Sequence, residues 1–344
     1  MDSVRVLYSS PFVPAEWIAA HSLQPQRLFP GQHAGASFAG GNEGLCPYAK
    51  AFSEEAAADG SPVVFATTCD QMRRASEAPI SARPTFLFNM PATWETSTAQ
   101  TMYCDELLRL SRFLVRLGGK APRSEHLARI MKQYDGARAD LRSLWQEGHA
   151  KEALLGLIAL SGADALGSSL LALGSDDRGT QQPRAKSQKP RARLALVGGP
   201  LLREQFALFD ELAAWGAEVV LDATETGERT LPDAFDATRM GSDPFAELQR
   251  AYFGSIPDAF RRPNDLLYRW LAQKIAERGV RGIVLVRCVW CDLWHAELQR
   301  MKERFNLPVV ELDQNGTSIP ARDGEMATGP SVRTRLQALL EVFT

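Results

Sequence analysis

The feature that most constrains this chain is a set of short, unbroken apolar runs, each ending in small or polar turn residues and leading into a helix-like segment. Strands apolar on both faces must be covered on both faces, which is the signature of parallel sheets in α/β architecture. Val4-Arg5-Val6-Leu7-Tyr8 passes through Ser9-Ser10-Pro11 into a segment holding Glu16, Trp17 and Ile18. Pro62-Val63-Val64-Phe65-Ala66 passes through Thr67-Thr68-Cys69-Asp70 into another helix-like stretch, then a strand at 85–88. The second half repeats the scheme. Leu194-Ala195-Leu196-Val197 turns at Gly198-Gly199-Pro200 into a helix over 201–215, and Gly282-Ile283-Val284-Leu285-Val286 meets 288–292, then a helix and a strand at 308–312.

At 344 residues the chain exceeds what one hydrophobic core usually supports. The stretch 175–193 is polar, rich in Pro, Gln and basic residues, and without apolar periodicity, so it reads as a linker. The expected organisation is an N-terminal α/β domain over 1–174, this linker, and a C-terminal α/β domain over 194–344. Both domains are expected to be flavodoxin-like or Rossmann-like and related by an approximate internal repeat. Apolar residues at helical spacing (Leu107, Leu110, Phe113, Leu114, then Ile130, Leu141, Trp145) mark about 98–174 as a helical insertion. Residues 331–343 form a closing amphipathic helix.

A net charge of -2 and no basic block interleaved with aromatics argue against nucleic acid as a partner. No run reaches the roughly 20 apolar residues of a membrane helix; 153–173 comes nearest and is broken by Ser, Gly and Asp164. The first residues enter a strand directly and carry no export signal, which leads to the expectation of a cytoplasmic protein. Five cysteines, an odd number spread over such a chain, speak for reduced thiols rather than a disulfide framework.

In open parallel sheets, ligands bind beyond the carboxyl ends of the strands, and Cys69 and Cys291 fall there, each followed by Asp. Cys46, after the glycines of 40–44, can close on the same cleft, and three thiolates would leave one iron of a cluster open. Free cysteines are also ordinary small core residues, and that reading stays beside the first. Cys288 and Cys291 form a lone CxxC, open to a thiol-redox or zinc reading. Val289 and Trp290 favour extension, however, so Cys288 is expected to point into the core and not to be a ligand. Cys104 reads as packing on a helix, His295 as a surface residue, and Gly198-Gly199-Pro200 as a tight turn rather than a phosphate cradle. No Walker sequence is present, so ATP hydrolysis through a P-loop is excluded.

Several stretches in order along nearly the whole chain carry a resemblance. They are Pro14-Ala15-Glu16-Trp17-Ile18, Cys46-Pro47-Tyr48, Thr68-Cys69-Asp70, and Asn89-Met90-Pro91 leading to Tyr103 and Glu106-Leu107. Leu196-Val197-Gly198-Gly199-Pro200-Leu201, Val289-Trp290-Cys291-Asp292, and Glu311-Leu312-Asp313 with Arg333-Thr334-Arg335 follow. Together they resemble the 2-hydroxyacyl-CoA dehydratase family, which includes the benzoyl-CoA reductase subunits that carry clusters. The resemblance implies an oxygen-sensitive 4Fe-4S cluster on three cysteines, here Cys46, Cys69 and Cys291, in a dimer of the chain with itself or a homologous subunit. It further implies a separate ATP-driven activator that supplies a low-potential electron. That electron reduces the thioester carbonyl of an acyl-CoA to a ketyl radical, the 2-hydroxyl leaves, the β-proton is lost and the electron is recovered. A reductive subunit of benzoyl-CoA reductase type, or a non-catalytic electron relay, is the alternative. The chain departs from the family pattern at 255–263, where it has no thiol, and five cysteines favour a single cubane over a double one.

Overall fold

The computed structural model describes residues 3–31, 44–77, 83–160, 192–314 and 330–343. The Gly-rich 40–43 and most of the linker 175–193 lie outside them, as does 161–174 of the helical insertion. Within the described residues the N-terminal half runs β1 (Arg5–Tyr8), α1 (Ala15–Ala20), β2 (Gln24–Arg27), α2 (Pro47–Asp59), β3 (Val63–Ala66), α3 (Asp70–Glu77) and β4 (Thr85–Phe88). The helices α4 (Ser97–Arg116), α5 (Ser124–Gln146) and α6 (Ala150–Leu160) follow. The C-terminal half runs β5 (Ala192–Gly198), α7 (Ala207–Ala214), β6 (Ala217–Ala223), α8 (Ala237–Ser242), α9 (Pro244–Ser255), α10 (Asp265–Glu277), β7 (Gly282–Cys288), α11 (Asp292–Phe305), β8 (Val309–Gln314) and α12 (Pro330–Glu341).

Each half holds a four-stranded, wholly parallel sheet, in the order β2-β1-β3-β4 and β6-β5-β7-β8. The two orders are the same, 2-1-3-4, so the chain is α/β with an internal repeat at the level of strand order. That order is flavodoxin-like, with its switch point between the first and third strands, where ligands settle. One strand, β2, carries no legible apolar run, whereas β6 holds the short run Val219-Val220-Leu221. β2 is Gln24-Pro25-Gln26-Arg27, and as an edge strand it tolerates a proline that a central strand would not. β6 (AEVVLDA) is the equivalent edge of the second sheet. β5 begins at Ala192, so the residues taken as the end of the linker belong to a strand.

The central strands are buried throughout, as the continuous apolar runs require: β3 reads VVFA and all four residues are buried. Local signals set the helix ends. α2 starts with Cys46 as N-cap and Pro47 in the first turn and stops at Gly60 in the left-handed region. Asp243 caps α9 by accepting from the Ala246 amide at 3.0 Å.

One continuous apolar core joins the halves, with Phe12, Tyr103, Phe253 and Phe260 among its members. The Tyr103 and Phe253 rings stack at 4.9 Å, and Phe12 meets Phe260 edge-on at 5.2 Å. A buried polar knot crosses the same boundary: Arg138 of α5 pairs with Glu16 of α1 at 2.5 Å and donates to the Tyr252 hydroxyl of α9, which itself donates to Glu16. Phe113 of α4 and Leu336, Leu339 and Leu340 of α12 are buried in the chain's own core. No helix of the described residues is long and apolar enough to cross a membrane.

Candidate functional site

The carboxyl ends of the two central strand pairs face one cavity of about 590 Å³. Its walls come from the turn after β1 (Ser9), the turn after β3 (Thr67, Thr68, Cys69), the turn after β5 (Gly199, Pro200) and the turn after β7 (Cys288, Trp290, Cys291). Both switch points of the repeat therefore open onto the same space, and Cys46 closes it from the start of α2.

Cys46, Cys69 and Cys291 each stand at a helix N-terminus. Cys46 caps α2, and its sulfur accepts from the Ala49 amide at 3.4 Å. Cys69 immediately precedes α3 and accepts from the Met72 amide at 3.4 Å. Cys291 is the N-cap residue of α11, and the Trp294 amide faces its sulfur in the same i to i+3 relation without completing a full hydrogen bond. Three helix N-termini thus point partial positive charge at one cavity, an arrangement suited to thiolates and to an anionic group. Asp70 and Asp292 are first-turn residues of these helices, where acidic groups complement the dipole.

Cys288 differs. It ends β7, is buried, and lies side by side with Cys46. The hydrogen bond between the two thiols lowers the pKa of Cys46 and raises that of Cys288. Burial pushes Cys69 up and brings Cys291 to about 11, so both are thiols until a metal displaces the proton. The expected extended backbone after Cys288 is corrected: the Cys291 amide donates to the Cys288 carbonyl at 3.1 Å, and Trp290 has φ +63°. The chain must reverse there to lead into α11, and it does so with a positive φ at the third turn position, a conformation that costs a bulky residue dearly. Cys288 is therefore buried and also lines the cavity.

Among the described residues no group of three or more His, Cys, Asp or Glu converges closely enough to hold a single metal ion. A cubane asks for a different geometry, because each thiolate binds a separate iron at a corner of the cage. Four thiols spread over one cavity wall, with amides directed at two of the sulfurs, fit such a cluster in donor chemistry and in surroundings.

Of the other sequence candidates, Cys104 and His295 fall away from the cavity, whereas Gly199 and Pro200 line it as a turn. Cys104 is half-buried on α4, with its thiol raised by burial. The exposed His295 faces Glu311 at 3.4 Å. The Gly199 amide donates to the Val286 carbonyl at 3.0 Å, extending the β5–β7 pairing, so the Gly-Gly-Pro stretch is a turn and that amide is not free for a phosphate. Residues that the sequence did not point to include Glu225, in the loop after β6, and Asp258, whose carboxylate accepts from Arg229 at 2.5 Å. Asp258 lies in 255–263, a segment noticeable beforehand only for lacking a thiol.

A search among curated proteins found no match. The family model described as 2-hydroxyglutaryl-CoA dehydratase, D-component, matches residues 11–343, nearly the whole chain, and its span takes in the second sheet, the first sheet apart from β1, and every cysteine at the cavity. The chain belongs to the 2-hydroxyglutaryl-CoA dehydratase D-component family, and is a 2-hydroxyacyl-CoA dehydratase-like subunit of lyase type.

Proposed function

We propose that this subunit holds a 4Fe-4S cluster on Cys46, Cys69 and Cys291 and uses it to eliminate water from a 2-hydroxyacyl-CoA. The carrying observation is the placing of these three cysteines at three helix N-termini around one cavity. A bound cluster would supply a low-potential electron to the thioester, and the remaining chemistry belongs to the chain. The helix N-termini stabilise the thiolates, and the buried Tyr48, Phe260 and Trp294 in the cavity walls restrict water. A cavity of about 590 Å³ at the cysteines falls within the usual range of small-molecule sites, which favours substrate binding there over pure electron relay.

The electron would come from a separate ATP-dependent activator, since the sequence has no P-loop of its own. The working assembly would be a dimer with a second copy or a homologous subunit, and the domain limits would be 1–174 and 194–344, joined through 175–193. Anaerobic purification followed by iron and sulfide analysis and electron paramagnetic resonance tests the reading. About four irons and four sulfides per chain are expected. Metal-free protein from anaerobic cells, or stoichiometric zinc, would overturn it.

A further inference from the structure

Glu225 stands out among the cavity residues because the fold holds its backbone rigidly and leaves its carboxylate unengaged. The loop after β6 is knotted by side chains: the Thr224 amide and hydroxyl donate to Asp222 at 3.1 and 2.7 Å, and the Thr224 and Thr226 hydroxyls meet at 2.8 Å. The Glu225 amide donates to the Gly199 carbonyl at 3.3 Å, and Arg27 donates to the Glu225 carbonyl at 2.6 Å. Among the described residues the Glu225 carboxylate itself takes no hydrogen bond or ion pair. Asp258, the neighbouring acid on the wall, is tied to Arg229 and to the Phe260 amide. Asp70 and Asp292 are exposed at the outer edge.

Dehydration of a 2-hydroxyacyl thioester breaks the C2–O and C3–H bonds, forms the C2–C3 double bond and releases water. No net oxidation occurs, and one proton must travel from C3 to the departing oxygen. Resting on the dehydratase reading above, we infer that Glu225 carries this proton, giving it as the acid to the leaving 2-hydroxyl and taking it back as the carboxylate from C3. The group ends in the form in which it began, so one carboxyl suffices for both transfers.

The electrostatics of the loop agree with that role. Burial, and then Asp258, raise the Glu225 carboxyl to about 7 against the lowering influence of Arg229 and Arg27, so acid and carboxylate coexist near neutrality. The other titratable groups facing it are the cavity thiols Cys46, Cys69 and Cys291, and Tyr48.

The test compares the wild-type complex, Glu225→Gln and Glu225→Asp, prepared anaerobically with the activator and offered 2-hydroxyglutaryl-CoA in deuterium oxide. Iron, sulfide and the paramagnetic signal are expected to be unchanged in both variants. Turnover should fall at least about 100-fold in Glu225→Gln with little change in KM, and recover in part in Glu225→Asp. Deuterium entering C3 of recovered substrate should fall with it. Independently of turnover, infrared difference spectra should show a protonated-carboxyl band that fades as pH rises through neutrality in the wild type and is missing in Glu225→Gln. Undiminished product from Glu225→Gln, or no such band in the wild type, overturns the inference alone. No product from a cluster-loaded wild type overturns the dehydratase reading and the inference with it.

Discussion

Cys46, Cys69 and Cys291 share a relation that Cys288 lacks: each begins a helix, and an amide three residues on faces its sulfur. Such amides hold a cluster's negative charge in a low-dielectric cavity; the Tyr48 amide also reaches the Cys288 sulfur, but Cys288 ends a strand and begins no helix whose dipole would add to it. Replacing each of the three by serine is expected to remove most of the iron, whereas Cys288→Ser keeps nearly all of it, as iron per chain after anaerobic purification would report. Serine is an effective N-cap, so Cys46→Ser leaves α2 intact and its iron loss reports ligation rather than misfolding. Equal losses from Cys288→Ser and Cys291→Ser would mean that the fourth thiol is a ligand too. The three cysteines were legible in the sequence because each falls where an apolar run or a Gly-rich stretch meets a helix start. The turn at Trp290 was not, since tryptophan disfavours a positive φ and only the reversal into α11 imposes it. Glu225 was hidden for another reason: a lone glutamate reads as surface until the fold places it on a cavity wall.

At the scale of elements, the central strands could be read from their apolar runs, whereas β2 could not. An edge strand is covered less completely, and Gln24-Pro25-Gln26-Arg27 has no apolar pattern to betray it. What joins the sheet to the cavity is the end of β5. Gly198 has φ +142°, and a Cβ there would lie 1.8 Å from the Val286 carbonyl oxygen of the neighbouring strand. Gly198→Ala must therefore push β5 from β7 just where the Gly199 turn and the Cys288 turn face the cavity. The expected cost is well over about 1 kcal/mol, with loss of bound iron. Gly60→Ala is the control: its φ is +79°, nothing lies within 4 Å of the added carbon, and the cost should stay near about 1 kcal/mol with iron retained. Urea denaturation of the two variants under anaerobic conditions separates these outcomes, and equal midpoints would remove the steric account of Gly198.

Across the whole molecule, the two halves are joined in two independent ways, and their consequences differ. The first is the shared apolar core with the Glu16–Arg138–Tyr252 knot, present whether or not a cofactor is bound. The Glu16–Arg138 pair itself lies within the N-terminal half, so separating the halves would strip it of the Tyr252 hydroxyl and expose the shared aromatic core to water, and separation is disfavoured. The second is the proposed cluster, whose ligands Cys46 and Cys69 come from one half and Cys291 from the other. A group that binds only the folded chain adds its binding free energy to the stability of that chain. Removing the iron with a chelator under anaerobic conditions should therefore lower the thermal midpoint by at least about 5 °C. The transition should nevertheless remain single, because the core still couples the halves after the metal bridge has gone. Differential scanning calorimetry of the loaded and stripped chain measures both quantities at once. An unchanged midpoint would count against a cluster that bridges the halves, and two resolved transitions after stripping would show that the metal, rather than the core and its buried knot, makes the halves unfold together.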